Sequence, residues 1–141
     1  PRAASTAWRP LVRASAPQCW AFSATEQIET DVAMSGGELY TLSPQQIVSC
    51  DKTDLGCNGG NTETAYQYVK SKGLEPESAY PYKSGRSGSC TYESSETEVS
   101  IGGYSTVSSR SSSEGKMLTQ IQTSPPQIWT WRFQTWIQDW I

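Results

Sequence analysis

Histidine is missing altogether from the 141 residues. That removes the one side chain whose unperturbed proton exchange falls near neutrality. It also removes imidazole as a metal ligand. The four cysteines form no close C-x-x-C pair, so neither a metal nor another cofactor is expected. Long apolar runs are lacking as well: nothing approaches the roughly 18 residues that a membrane span needs. Positive charge is scarce, with 11 Lys and Arg against 14 Asp and Glu and a net charge of −3. That balance argues against nucleic acid or an anionic membrane surface as a partner. No initiator Met and no charged-then-apolar leader opens the chain. No signal peptide is therefore read, and Pro1 is expected to begin a processed or truncated chain.

What is present is organised around Cys19. Trp20, Ala24, Ile28 and Val32 recur at every fourth position after it, one face of a helix. A thiol at a helix N-terminus lies at the positive end of the helix dipole, which favours the nucleophilic thiolate. Cys19 is thus a candidate nucleophile or, equally compatible with the pattern, a buried structural cysteine that begins a core helix. The other cysteines stand at 50, 57 and 90. An even count at wide spacing suits disulfides in an oxidising compartment, with all three pairings open.

Residues 1–18 are punctuated by Pro1, Pro10 and Pro17 and read as irregular or extended. A helix is expected from Cys19 to Met34, closed by Ser35-Gly36-Gly37. Ser43 can cap a second helix, Pro44 suits its first position, and Gln46 completes a capping box. Residues 50–60 form a loop by their Gly, Asn and Asp content. Its consecutive glycines either let a ligand backbone approach closely or simply make a tight turn. No Gly-Lys-Ser/Thr follows them, so this is no phosphate loop. A third helix spans Thr62 to Lys72, with Ala65, Tyr66 and Val69 inward and Gly73 at its end. Pro76 and Pro81 force residues 75–82 to be extended, and Tyr80 and Tyr82 are expected to cover apolar surface with wet hydroxyls. Short strands are expected at 98–101 and 103–107, a serine-rich loop at 108–113 and a helix over 114–123. Trp129, Trp131, Trp136 and Trp140 crowd the segment 124–141. Such aromatic density predicts aggregation or self-association through this tail.

Taken together, Cys19-Trp20-Ala21-Phe22-Ser23-Ala24, Leu42-Ser43-Pro44-Gln45-Gln46, Gly56-Cys57-Asn58-Gly59-Gly60 and Tyr80-Pro81-Tyr82 resemble the papain-like cysteine peptidases of the papain/cathepsin L family. The resemblance implies an α+β, papain-like fold of which this chain holds mostly the helical left-hand subdomain. Residues 1–18 would be a divergent segment, 19–123 the partial peptidase subdomain, and 124–141 an aberrant tail. By the same resemblance Cys19 falls on the nucleophile, and Gly59 and Gly60 on the edge that hydrogen-bonds an extended substrate. Asn61 and Thr62 would follow on the rim of that edge. Cys50 and Cys90 match a disulfide pair. Cys57 matches a cysteine whose partner would stand at position 16, here Ala16, so its thiol should be unpaired. The family's compartment, lysosomal or secreted, is implied as well.

The chain departs from the family's pattern before the nucleophile. Arg13 replaces the glutamine whose amide helps to line the oxyanion hole, and a donor there is worth roughly 2.7–4 kcal/mol. The family's His and Asn partners would lie beyond Ile141. The implied activity is peptide-bond hydrolysis through a Cys thiolate, on peptide or protein substrates, with the 141 residues by themselves inactive. The alternative is a catalytically dead homologue that binds peptides or partners.

Overall fold

The computed structural model describes residues 18–106 together with 115, 116 and 119. Arg13, Ala16, the serine-rich loop, the Trp-rich tail and most of the helix expected over 114–123 lie outside the described residues. Three helices carry the fold: α1 (Cys19–Met34), α2 (Pro44–Cys50) and α3 (Thr62–Lys72). Single 3-10 turns occupy Gly56–Asn58 and Ser94–Glu96.

The expected face of α1 is its buried one. Trp20, Ala24 and Ile28 are buried, Ala21, Thr25 and Asp31 widen the stripe, and Val32 is half-buried at its edge. The Ser35 and Gly36 amides close the helix on the Asp31 and Ala33 carbonyls. Gly36 takes a φ of +86°, a conformation that L side chains rarely adopt. α1 packs against both α2 and α3. Between them lies one core, in which Trp20, Ile28, Leu42, Ile47, Tyr66 and Leu74 are the largest apolar members.

All seven residues of α2 are buried, polar ones included. The Ser43 hydroxyl accepts from the Gln46 amide at 3.1 Å, the first half of the expected capping box. The second half is absent. The Ser43 N–H donates instead to the Glu75 carbonyl at 3.0 Å, which frees the Gln46 side chain for other work. Its Oε1 accepts from the Glu75 amide at 2.7 Å, and its Nε2 donates to Tyr68 and to the Gly73 carbonyl. Gln45 does the same for the next loop, donating to the Arg86 carbonyl and accepting from the Lys83 amide. Buried backbone groups must find partners, and here two side-chain amides supply them to segments that form no ladder.

α3 is capped by Asn61, whose side chain accepts from the Glu63 amide at 2.9 Å. Glu63 in its first turn and Lys70 and Lys72 in its last complement the helix dipole. Gly73 ends it at φ +75°, and a Cβ there would meet Thr97 at 2.4 Å.

No strand is present among the described residues. The strands expected at 98–101 and 103–107 reduce to an isolated antiparallel bridge between Leu74 and Val99 and a single bridge at Thr106. Leu74 and Val99 exchange both backbone hydrogen bonds, after which Gly102 and Gly103 interrupt the pairing. The tyrosine expectation also changes. The Tyr80 hydroxyl donates to the Ser89 carbonyl and accepts from the Thr91 amide, while the Tyr82 hydroxyl donates to Gln18. Both hydroxyls are satisfied by protein, that of Tyr80 by the segment around Cys90 and that of Tyr82 by the residue before α1.

Candidate functional site

Cys19 is the first residue of α1 and is exposed. The reading of it as a buried structural cysteine is thereby excluded. Its two chain neighbours are buried: Trp20 is 1% exposed and Gln18 0%. Trp20 faces the glycine loop. Its indole N–H donates to the Gly56 carbonyl at 3.3 Å. Its ring lies so close to Gly60 that a Cβ on residue 60 would stand 2.5 Å from two ring carbons. One side chain therefore ties the start of α1 to both ends of the segment Gly56–Gly60.

The loop holds its own shape through its backbone. The Leu55 amide donates to the Gly59 carbonyl at 3.0 Å, and the Gly59 amide to the Gly56 carbonyl. Gly59 sits at φ +123°, which requires glycine, and the space beside its Cα is open. Asp54 clamps the far end. Its carboxylate accepts from the Asn61 amide at 3.1 Å and from the Thr64 hydroxyl.

The four residues expected at a substrate edge are contiguous but not equivalent. Gly59 is half-buried and Gly60 exposed. The N–H and C=O of Gly60 make no hydrogen bond among the described residues. Asn61 is exposed, with its side chain occupied as the α3 cap, and Thr62 is buried at 5% exposure.

Cys50 and Cys90 form a disulfide with Cα atoms 4.7 Å apart, across 40 residues of sequence. Cys57 keeps an unpaired thiol. It accepts a hydrogen bond from the Gln18 side-chain amide, whose oxygen in turn accepts from the Tyr82 hydroxyl. Tyr82 packs edge-on against Phe22 of α1 with ring centroids 5.0 Å apart. Gln18 and Asp54 carry no signal in the sequence: Gln18 acts through partners 39 and 64 residues away, and Asp54 through partners 7 and 10 residues on. No group of three or more His, Cys, Asp or Glu among the described residues could hold a metal ion.

Asp51 is the buried titratable group of the loop. It is 5% exposed, and its Oδ2 has no hydrogen-bond partner among the described residues. Burial pushes its carboxyl above the usual carboxylate range and the neighbouring Asp54 charge adds to this, against the opposing Thr53 amide. A carboxyl raised in the folded state is more easily ionised in the unfolded chain. Asp51 therefore costs nothing below the unfolded carboxylate pKa and destabilises progressively as pH rises through its folded value. Asp51→Asn keeps an oxygen for the Thr53 amide and offers an N–H towards Asp54. We expect it to stabilise the chain at neutral pH and to flatten stability between pH 4 and pH 7, about the span of carboxylate titration. Urea denaturation across that range measures it, and a loss of stability at pH 7 would contradict it.

With this geometry in place, comparison with known proteins is direct. The profile of the papain family cysteine proteases matches residues 13–137. The chain belongs to the papain family. A senescence-specific cysteine protease of Arabidopsis thaliana is 44% identical over 91 residues, 63% of this chain and 26% of that protein. Mouse cathepsin K is 40% identical over 87 residues, 61% of this chain and 26% of the relative. Among solved structures, digestive procathepsin L 3 from Tenebrio molitor larval midgut superposes with a TM-score of 0.66 at 26% identity, covering 77% of this chain and 35% of that one. The papain-family chain described here thus spans about a quarter to a third of the relatives' length. Its three helices are consistent with the helical left subdomain of the papain-like fold. No helix among the described residues is long and apolar enough to cross a membrane.

Proposed function

We propose that this chain carries the nucleophile and one substrate edge of a papain-like cysteine peptidase. The observation that supports this reading best is the coupling of an exposed Cys19, through buried Trp20, to the exposed backbone of Gly60, which makes no hydrogen bond among the described residues. An extended peptide can hydrogen-bond to such an edge strand-fashion, along Gly59 and Gly60, with Asn61 and Thr62 beyond. Cys19 Sγ would then attack the peptide carbonyl carbon, forming an S–C bond as the C–N bond breaks and leaving a thioester that water hydrolyses. The departing amine needs a proton from a general acid, and no histidine among these 141 residues can give it. The 141 residues alone are therefore expected to bind peptide without hydrolysing it. The Cys50–Cys90 disulfide suits an oxidising compartment, lysosomal or secreted.

The test uses the 141-residue chain with a fluorogenic peptide, a thiol-directed peptide probe and amide resonances. We expect no turnover and no faster probe labelling at Cys19 than at Cys57. An unreactive tetrapeptide should shift the Gly59 and Gly60 amides, and Gly60→Ala, which collides with Trp20, should abolish that shift. Turnover would overturn the assignment of inactivity. Peptide binding that leaves Gly59 and Gly60 unmoved would overturn the substrate edge. The same binding on a Cys19→Ala chain is the expected behaviour of a non-hydrolytic peptide-binding module.

A further inference from the structure

Gln18 has no side-chain hydrogen bond to the helix that it precedes. Its amide is turned the other way, across the chain, and both of its ends are used. The nitrogen donates to the Cys57 thiol, and the oxygen accepts from the Tyr82 hydroxyl. The residue is 0% exposed, and a buried amide is tolerated only when it is satisfied. Its two partners lie 39 and 64 residues away in sequence. The hydrogen bonds that a helix cap would spend locally are spent here on fixing the entry to α1.

Trp20 makes the complementary tie. Gln18 grips residue 57 of the glycine loop and Trp20 grips residue 56. Adjacent loop residues thus hold the positions immediately before and after the exposed Cys19. Tyr82, gripped by Gln18, also packs on Phe22 one turn into α1. A covalent tie from Cys57 to position 16 is foreclosed, because that residue is Ala16. We infer that Gln18 is the positioning residue for Cys19, a noncovalent clamp that seats the reacting thiol against the glycine loop through Cys57 and Tyr82. The inference rests on the reading of Cys19 as the reacting thiol, but its test does not need peptide binding.

The test is competitive alkylation of the intact 141-residue chain with iodoacetamide, with Cys19 and Cys57 quantified separately by mass spectrometry. Gln18→Met keeps the volume and removes both hydrogen bonds. It should lower the Cys19-to-Cys57 alkylation ratio about three- to tenfold, the worth of one net hydrogen bond. Tyr82→Phe, a milder change, should lower it in the same direction. The clamp acts on Cys19 alone when Cys57 is replaced. There Cys57→Ser, which keeps an acceptor for the amide, should leave the Cys19 rate near that of the parent chain, and Cys57→Ala, which breaks one of the two bonds, should fall between the parent and Gln18→Met. Combining Gln18→Met with Cys57→Ala should add nothing further. Val69→Ala, a core truncation in α3, serves as the control for simple destabilisation. Unchanged Cys19 rates in Gln18→Met and Tyr82→Phe would overturn the inference, as would an equal change in Val69→Ala. If the tetrapeptide fails to move Gly60 while Gln18→Met still changes Cys19, the substrate edge falls and the clamp stands.

Discussion

Replacing Cys50 and Cys90 together by alanine is expected to remove about 4 kcal/mol of stability, from the closure of a loop of this length in the unfolded chain. The bridge joins residues 40 apart in sequence. Within that span lie the glycine loop, all of α3 and the residues that return over α2. Whole domains are stable by only about 5–15 kcal/mol, so the loss takes a large share. The packing around the bridge points the same way. Cys50 is the last residue of the buried α2, and the Tyr80 hydroxyl beside it reaches the Ser89 carbonyl and the Thr91 amide on either side of Cys90. Opening the bridge therefore also loosens the anchoring of 83–91. Urea unfolding of the parent and double variant, both with Cys57 blocked, measures the effect. A difference below about 1 kcal/mol, far under the loop-closure value, would contradict it.

Trp20→Ala is expected to cost about 3–5 kcal/mol, the range for truncating a buried large aromatic. The ring is 1% exposed and is a central member of the core. Trp20→Phe keeps most of the volume but loses the N–H to the Gly56 carbonyl, and about 1 kcal/mol is expected for that bond. A second effect separates packing from general weakening. Gly60→Ala is destabilising in the parent because the new Cβ meets the indole at 2.5 Å. In the Trp20→Ala background that obstacle is gone, so the Gly60→Ala penalty should shrink, leaving the Asp54 carboxyl carbon at 2.8 Å as the remaining crowding. Denaturation of the four chains gives the coupling, and strict additivity would show that ring and loop are not in register.

The helices were legible because their signals are local. Cys19–Met34 follows from a four-residue repeat and a glycine stop, Thr62–Lys72 from inward Ala65, Tyr66 and Val69 and Gly73 at its end. The disulfide became legible only through resemblance, since four cysteines alone leave the pairing open. Strands failed for a physical reason. The alternation at 98–101 marks a segment that meets Leu74 once, and pattern cannot say how many residues will pair. Gln46 shows the same limit in reverse. Its spacing from Ser43 announces a capping box, yet its amide is claimed by Gly73, Tyr68 and Glu75, more than twenty residues downstream. At the site, Cys19 and the glycines stand out by residue type. The contacts that seat them come from Gln18, Trp20 and Asp54, whose roles exist only once the chain has closed on itself.

The fully buried α2 has a consequence for how the chain reaches this state. Gln45 is satisfied by residues 83, 86 and 87, at sequence separations of 38, 41 and 42. Until that segment arrives, the helix would have to hold unsatisfied amides in an apolar setting. α2 is also only seven residues long, too short to persist alone. It cannot serve as an early nucleus around which the rest collects. It is completed by the loop that follows it, so its formation is gated by distant closure, the feature of topology that slows folding. The most enclosed helix of this molecule is thus among the last to be finished.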